Sequence, residues 1–284
     1  MDEWRIPVGE WAEEAIDRLQ SALGPFFDFV REILLGGYNQ LSNLLNLPPA
    51  LVMIVLLGLV GLLVRGWLFG LVGALALLFI ELMGQWDNAM QTLALVIVSV
   101  VVATVLAIPI GIAAARSRIV SNVVRPVLDF MQTMPPLVYL IPAVIIFRVG
   151  VVPGVIATII FAMPPGIRLT ELGIRQVDPE VVEAGHAFGS TPGSILRQIQ
   201  LPLALPTIMA GINQVIMLSL SMVVLAGFVG GPGLGQQVLS AISRLNVGLG
   251  VEAGLSVVIL AIYLDRVTAA LGARSTVERL VRAA

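Results

Sequence analysis

The sequence predicts an all-α, polytopic membrane protein with about seven transmembrane helices. Hydrophobic residues make up 58% of the 284 residues and charged residues only 12%, whereas a soluble domain carries about a quarter charged residues. The mean hydropathy is +0.98. Water therefore cannot be the solvent for most of the surface, and we expect a lipid bilayer to contact much of the chain.

Apolar runs of about 17–25 residues are long enough to cross the hydrocarbon core as helices. Only Arg65 and Gly66 separate the first two runs, which predicts a tight helical hairpin. Prolines interrupt or bound the middle runs, and we interpret them as kinks rather than gates, since neighbouring helices can satisfy the freed carbonyls. The seven predicted spans are roughly 48–64, 66–83, 88–115, 126–147, 149–167, 205–229 and 251–271.

The segment 1–47, which precedes the first span, is acidic and amphipathic. Apolar residues recur every three or four positions over 10–23 and again over 26–35, and Gly24-Pro25 is predicted to break the helix between them. Interfacial anchors are usually rich in basic residues, so we expect a scaffold packed on the membrane domain. A helix lying in the interface plane is the alternative. The segment also lacks the basic start of a cleaved secretory signal.

Arginine placement predicts the orientation of the chain in the membrane. With the loop 168–204 in the cytoplasm, eleven arginines lie on the inner side, against only Arg148 and Arg244 in the short outer loops. Cytoplasmic loops are enriched in positive charge, so we expect the N-terminus outside and the C-terminus inside. The predicted organisation is an extracytoplasmic segment 1–47, a two-helix scaffold 48–84, a core 85–272 and a cytoplasmic tail 273–284.

The polar loop 168–204 is predicted to contain two short helices. Asp178-Pro179 has the residues of an N-cap followed by proline at the first helical position. That helix is expected to end near Phe188, with Gly189 as a left-handed cap. Thr191-Pro192 starts the second helix in the same way, and Leu201-Pro202 is expected to end it. Ile195, Leu196 and Ile199 give this helix an apolar face. We therefore expect the loop to form a small, partly apolar surface to which another protein can bind.

The composition excludes several kinds of chemistry. The chain has no Cys, and all 16 basic residues are Arg, which rules out disulfides, iron–sulfur clusters and a Walker A lysine. The net charge of −2 gives no indication of nucleic-acid binding. His186 is the only His and has no clustered carboxylates, so we predict no metal site. No nucleophile–base pair is visible, so we expect no catalytic residues and no enzyme activity.

The glycine-rich stretch GGPGLGQQ could suggest a nucleotide site, but an apolar span precedes it rather than the strand that a dinucleotide loop requires. We therefore expect a tight outer turn that can dip back into the protein. Glycine would allow close packing at such a turn.

The spacing EA-x4-G-x9-I-x-LP resembles the EAA motif of permease subunits in binding-protein-dependent ABC importers. In that family the motif seats in a cleft of the ATPase subunit. Gly185 stands where the family usually has Ala, and it keeps the position small. The residues that the resemblance assigns to ATPase coupling are Glu183, Ala184, Gly185, Gly189, Ile199, Leu201 and Pro202.

Four further stretches are similar to the glycine betaine/proline betaine branch of these importers, which import compatible solutes. The similarity covers roughly 85–272, and the N-terminal extension is similar to the larger members of the branch. The stretches are DFMQTMPPLVYLIPAVIIF (129–147), PPGIRLTELGIRQV (164–177), LPLALPTIMAGINQVIMLSLSMVV (201–224) and GGPGLGQQVL (230–239).

This resemblance implies a type I importer permease core of about five helices in the plasma (inner) membrane. It implies an ABC ATPase partner that holds ATP and Mg, an extracytoplasmic substrate-binding protein and a second copy of the chain, with no cofactor in this chain itself. Choline, carnitine or an amino acid stay open as alternative substrates. An ion-coupled secondary transporter is a further alternative, although ionisable residues near the midplane, which such carriers use, are scarce here.

Polar and aromatic residues within the spans are candidates for the translocation path. The polar ones could equally form hydrogen bonds between helices. Few aromatic side chains are present to hold a trimethylammonium group, so we expect weak substrate contact here and selection by the binding protein. The candidates are Gln132, Thr133, Tyr139, Phe147, Phe161, Asn213, Gln214 and Ser219.

Overall fold

The computed structural model describes residues 6–273, and all regular structure in that range is helical, which confirms the all-α prediction. The expected tail 273–284 lies almost wholly outside the described residues. The helices are α1 (Val8–Asn46), α2 (Ala50–Arg65), α3 (Trp67–Leu82), α4 (Trp86–Arg116), α5 (Arg118–Thr133), α6 (Pro136–Phe147), α7 (Val151–Arg175), α8 (Pro179–Ala187), α9 (Pro192–Ile195), α10 (Leu201–Ala226), α11 (Leu234–Ser243) and α12 (Val247–Ala273).

Four helices are each long and apolar enough to cross a membrane: α4, α7, α12 and the joined helix Pro192–Val229. Two bent pairs, α1 with α2 and α5 with α6, raise the number of possible spans to six. The shorter apolar helix α3 has 16 residues, or about 24 Å at 1.5 Å per residue. The predicted number of about seven spans is therefore close to the four single spans, the two bent pairs and α3 taken together.

The predicted span 126–147 is wrong as a single helix. The chain breaks between α5 and α6, and the two helices meet at an angle of 100°. Met134 and Pro135 are extended, with ψ of 135° and 133°, because each precedes a proline, which disfavours the helical conformation of the residue before it. Pro136 then starts α6 at the position where a missing N–H is tolerated.

The predicted break at Gly24-Pro25 is present as a kink. Leu23, directly before it, is non-helical (φ −115°, ψ 16°), and two helical halves join there to form α1. The helix runs to Asn46 rather than ending near residue 35, since Leu34, Tyr38 and Leu45 continue the buried stripe. Only this second half packs on the core. Trp11 and the rest of 10–15 are exposed, so the expected scaffold packing does not extend to the start of the helix.

The hairpin of α2 and α3 agrees with its prediction. Gly66 joins the helices with φ +104°, in a region that non-glycine residues rarely adopt. The two helices lie so close that a Cβ on Gly70 would stand 2.7 Å from Leu62 Cβ. Tyr263 of α12 donates a hydrogen bond to the Leu57 carbonyl at 2.7 Å, which attaches the hairpin to the core.

The centre of the molecule is a tight bundle of α4, α7 and α10. Small residues let the three backbones approach, as is typical of helices in membranes. A Cβ on Gly111 of α4 would lie 2.5 Å from Thr170 Cβ, and one on Gly211 of α10 would lie 3.0 Å from Leu169 Cβ, both on α7. The packing of this bundle fixes the end of α7 and the start of α10, and the polar loop connects these two points.

Candidate coupling loop and membrane path

The first loop helix, α8, has the predicted start. The Asp178 side chain accepts a hydrogen bond from the Glu180 backbone N–H at 2.9 Å, and Pro179 takes the first helical position. The helix ends at Ala187, and Gly189 follows with φ +79°. The N-cap and the glycine elbow are therefore both present at the residues that the sequence indicated.

The second loop helix does not end at Leu201-Pro202 as expected. It starts at Thr191, whose hydroxyl accepts a hydrogen bond from the Ser194 N–H at 3.3 Å. It then passes through a π-helical turn, Leu196–Gln200, and continues into α10. Pro202 lies in the first turn of α10 and has no N–H to donate. The wider turn places this proline within a continuous helix, as π-bulges do in other helices.

The coupling candidates divide into an exposed and an inward-facing group. Glu183, Ala184 and Gly189 are on the surface of the loop. Gly185 is buried, and a Cβ there would stand 2.8 Å from Ile199 Cδ1. Gly185 therefore packs α8 against the second loop helix. Ile199, Leu201 and Pro202 are half-buried in the joined helix.

Sequence reasoning missed the most exposed apolar residue of the loop. Phe188 is 90% exposed at the tip, immediately before the Gly189 elbow. The signal was its place at the end of α8, where a side chain points away from the packed helix pair. His186 is exposed, in line with the surface position expected of it. No group of three or more metal-binding side chains occurs among residues 6–273.

A second feature that sequence reasoning missed is a buried carboxylate at the loop end of α7. The Glu171 side chain is only 6% exposed. It accepts a hydrogen bond from the Ser121 hydroxyl at 2.8 Å and forms ion pairs with Arg125 at 3.0 Å and Arg175 at 3.1 Å. The Glu171–Arg175 spacing of four is the one signal in the sequence. It does not indicate the contacts with Ser121 and Arg125, which are about fifty positions away.

A cavity of about 340 Å³ opens beside this cluster. Arg168 and Asp129 form a second ion pair between α5 and α7 at its wall. The lining residues are Arg125, Asp129, Arg168, Glu171, Leu172 and Arg175. The loop-side ends of α5 and α7 are thus joined by polar side chains rather than by apolar packing alone.

The candidate path residues do not share one surface. Gln132 and Thr133 are exposed at the end of α5, and Gln214 is exposed on α10. Ser219 is fully buried, and neither its hydroxyl nor the Asn213 side-chain oxygen has a hydrogen-bond partner within residues 6–273. The polar candidates are therefore split between open surface and the interior of the bundle.

The aromatic candidates are mostly structural. Tyr139 is buried and its hydroxyl donates to the Met131 carbonyl at 2.6 Å, which connects α6 to α5 across the break. Phe147 is buried, and its ring meets the Phe27 ring edge-on at 5.7 Å. Phe161 is half-buried and packs in the same apolar cluster as Tyr139. Packing therefore explains the presence of an aromatic side chain at Tyr139 and at Phe147.

The glycine-rich stretch dips back into the protein, as the sequence analysis allowed. The Leu234 backbone N–H donates to the Thr92 hydroxyl of α4 at 2.9 Å, and Leu234 is fully buried. A Cβ on Gly235 would stand 2.3 Å from the Val223 carbonyl oxygen. These glycines are explained by close packing, and α11 follows directly.

Comparison with known proteins gives the following similarities. The family described as "Binding-protein-dependent transport system inner membrane component" matches residues 107–277. The glycine betaine transport system permease protein OpuAB of Bacillus subtilis is 48% identical over 93% of this chain and 94% of its own length. ProW of Escherichia coli, a glycine betaine/proline betaine permease, is 47% identical over 94% of this chain and 75% of its own length. The glycine betaine/carnitine permease GbuB of Listeria monocytogenes is 46% identical over 96% and 98%.

A solved structure has the same helical fold. An inward-facing form of the MetNI methionine ABC transporter matches with a TM-score of 0.58 and 23% identity. The match covers 70% of this chain and 95% of the other.

Proposed function

Because the chain belongs to the family of binding-protein-dependent transport system inner membrane components, we propose that it is the permease subunit of an ATP-driven importer of glycine betaine and proline betaine. The observation that carries this proposal is the identity of 46–48% over nearly the whole chain to permeases named for glycine betaine. A chain of this family is a transport permease and not an enzyme.

ATP hydrolysis then belongs to a partner ATPase that holds ATP and Mg. The exposed Glu183, Ala184 and Gly189, with Phe188 at the tip, form the surface of this chain that contacts the partner. Closure of the ATPase on ATP moves the loop, and the loop moves the central bundle from an inward-facing to an outward-facing state. This coupling requires that the ATPase contacts the two states with different free energies.

An extracytoplasmic binding protein supplies the substrate, and a second copy of the chain completes the path. Among the candidate path residues, we assign substrate contact to Gln132, Thr133 and Gln214, whose side chains are exposed. Tyr139 and Phe147 act through packing instead. Selection of a trimethylammonium zwitterion belongs to the binding protein, since aromatic surfaces suited to such cations are few among the exposed residues of the described spans.

The test is uptake of radiolabelled glycine betaine into cells that lack other betaine transporters and express the complete complex. We expect uptake that proline betaine competes and that stops when ATP is depleted. Stronger competition by choline or carnitine would show that this compound, rather than glycine betaine, is the main substrate. Uptake that survives ATP depletion but collapses with the ion gradient would overturn the proposal in favour of a secondary carrier.

A further inference from the structure

Glu171 lies where the movement of the coupling loop enters the membrane helices. It is in the last turns of α7, which ends at Arg175, and α8 begins at Pro179. A displacement of α8 reaches this turn of α7 through the short connection 176–178, and it reaches α10 through the second loop helix, against which Gly185 packs.

The Glu171 cluster joins the loop-side ends of three helices. Ser121 and Arg125 reach it from α5, and Arg175 reaches it from α7 itself. Arg175 also donates to the Ala114 carbonyl, near the end of α4, at 2.8 Å. One carboxylate thus holds together groups from α5 and α7, and its partner Arg175 extends the connection to α4.

The helix α5 is held to the bundle by this polar attachment together with the apolar packing of Leu128 against Ala107 and Ile167. Its opposite face carries exposed apolar side chains, and its only fully buried residues are Ser121 and Leu128. The three polar residues Ser121, Arg125 and Asp129 are spaced four apart, so they share one face of the helix. They meet Glu171 and Arg168 on α7. The exposed apolar residues are Ile119, Val123, Val127 and Phe130.

This arrangement favours a mechanical role over a purely local one. A buried carboxylate is stable only while its donors stay in place, and removing one partner of such a cluster leaves the others uncompensated. The α7 turn and α5 must therefore move together or exchange all of these bonds. Because α5 continues through the 100° bend into α6, a motion transmitted to α5 also reaches the exposed Gln132 and Thr133 at its end.

We propose that Glu171 is a positioning residue that fastens α5 to α7 and so transmits movement of the coupling loop to the broken helix pair α5–α6. This inference rests on the proposed transport function. It assigns to Glu171 no contact with the substrate. When the Glu171 carboxylate is removed, ATP hydrolysis continues on the partner ATPase but drives fewer transport events.

The experiment uses the reconstituted complex of permease, ATPase and binding protein in proteoliposomes, and compares Glu171→Gln, Arg125→Gln and the double variant. The measured quantity is glycine betaine transported per ATP hydrolysed. We expect Arg125→Gln to lower this ratio about tenfold, the effect of one lost charge-assisted hydrogen bond. Glu171→Gln should lower it at least as much, because it removes the charge that all three partners contact. ATP hydrolysis stimulated by the binding protein should persist. The double variant should be no worse than Glu171→Gln, since the Arg125–Glu171 ion pair is already lost in Glu171→Gln.

The matched control is Glu81→Gln, which neutralises a half-buried carboxylate in α3, outside the cluster, and should leave the ratio unchanged. A normal ratio in Glu171→Gln overturns the inference while leaving the transport function intact. A parallel fall in uptake and ATP hydrolysis, with a lower melting temperature, would show a merely structural residue and also overturn it. Absence of ATP-dependent uptake in the wild type would instead contradict the transport function itself.

Discussion

At the scale of the residue, Glu183 and Gly185 show how one motif serves two surfaces. Glu183 is exposed on α8, whereas Gly185, two positions later, is buried against Ile199. Two residues apart on a helix do not face the same way. The first is therefore available to a partner, and the second determines how closely the two loop helices pack.

The exposed carboxylate leads to the first prediction. Glu183→Lys should reduce glycine betaine uptake by at least about tenfold, because a like charge in place of a complementary one costs on the order of several kcal/mol at an interface. Membrane insertion, measured by immunoblotting of the membrane fraction, should be unchanged. Glu180→Lys makes the same charge change one turn earlier on α8, outside the motif, and is the matched control. Wild-type uptake in Glu183→Lys would contradict its role in coupling.

The buried glycine leads to the second prediction. Gly185→Ala should change stability by less than about 1 kcal/mol, since the gain in helix propensity offsets pressure on the flexible end of Ile199. Gly185→Leu should push α8 away from the second loop helix and abolish most uptake. Melting temperature of the purified complex and uptake measure the two effects. Loss of uptake in a well-folded Gly185→Ala would show that this position contacts the partner directly.

At the scale of the element, the break between α5 and α6 depends on two consecutive prolines and on one tertiary hydrogen bond. Pro135 and Pro136 keep the preceding residues out of the helical conformation. Tyr139 donates to the Met131 carbonyl from the far side of the break. Pro126, by contrast, lies inside α5 without interrupting it. A proline pair alone is not sufficient, since Pro164 and Pro165 lie inside the continuous helix α7. The bend therefore depends on the pair together with the packing of α6 around Tyr139.

Replacing the pair gives the third prediction. Pro135→Ala combined with Pro136→Ala should let α5 extend and should break the Tyr139 hydrogen bond. The bond is worth about 1 kcal/mol, which corresponds to a fall of about 2–4 °C in melting temperature. Uptake should fall by more than this small loss of stability explains, because α6 changes direction. Pro126→Ala should leave both measurements close to wild type. Equal effects of the two changes would show that the bend has no special role.

At the scale of the whole molecule, the arginine distribution agrees with an arrangement in which the polar loop and the Glu171 cluster lie on the same side. Arg116, Arg125, Arg168, Arg175 and Arg197 all occur around the loop ends of the central helices. The cytoplasmic assignment of that side is a prediction from charge. Its test is straightforward because the chain contains no Cys.

Cysteine labelling in intact cells is the fourth prediction. Leu245→Cys, at a position that is 87% exposed, should react with a membrane-impermeant maleimide from outside. Gln176→Cys, exposed between α7 and α8, should react only after the cells are permeabilised. The cysteine-free wild type reports the background. The opposite pattern would place the loop outside and contradict both the orientation and the coupling role.

Several features could be read from the sequence because their causes are local. The Asp178-Pro179 start and the Gly189 elbow of α8 depend on a few neighbouring residues, and the structure has both. The second loop helix continues past its predicted end at Leu201-Pro202, because the π-helical turn before Pro202 accommodates a residue without an N–H. The kink in α1, by contrast, lies at Leu23, directly before the predicted Gly24-Pro25 break, because that signal is local. Local signals thus located the caps of α8 and the kink of α1, but not the continuation of a helix through Pro202.

The lipid environment, the all-α class, the family and the two-helix loop could all be predicted from the sequence, because composition, run length and motif spacing are properties of the chain alone. Only the tertiary structure decided the direction of α6, the inward position of Gly185 and the Glu171 cluster. The contact of Ser121 with Glu171 joins residues fifty positions apart, and no local pattern encodes it. Such contacts arise when helices pack, and packing depends on side chains from every helix at once.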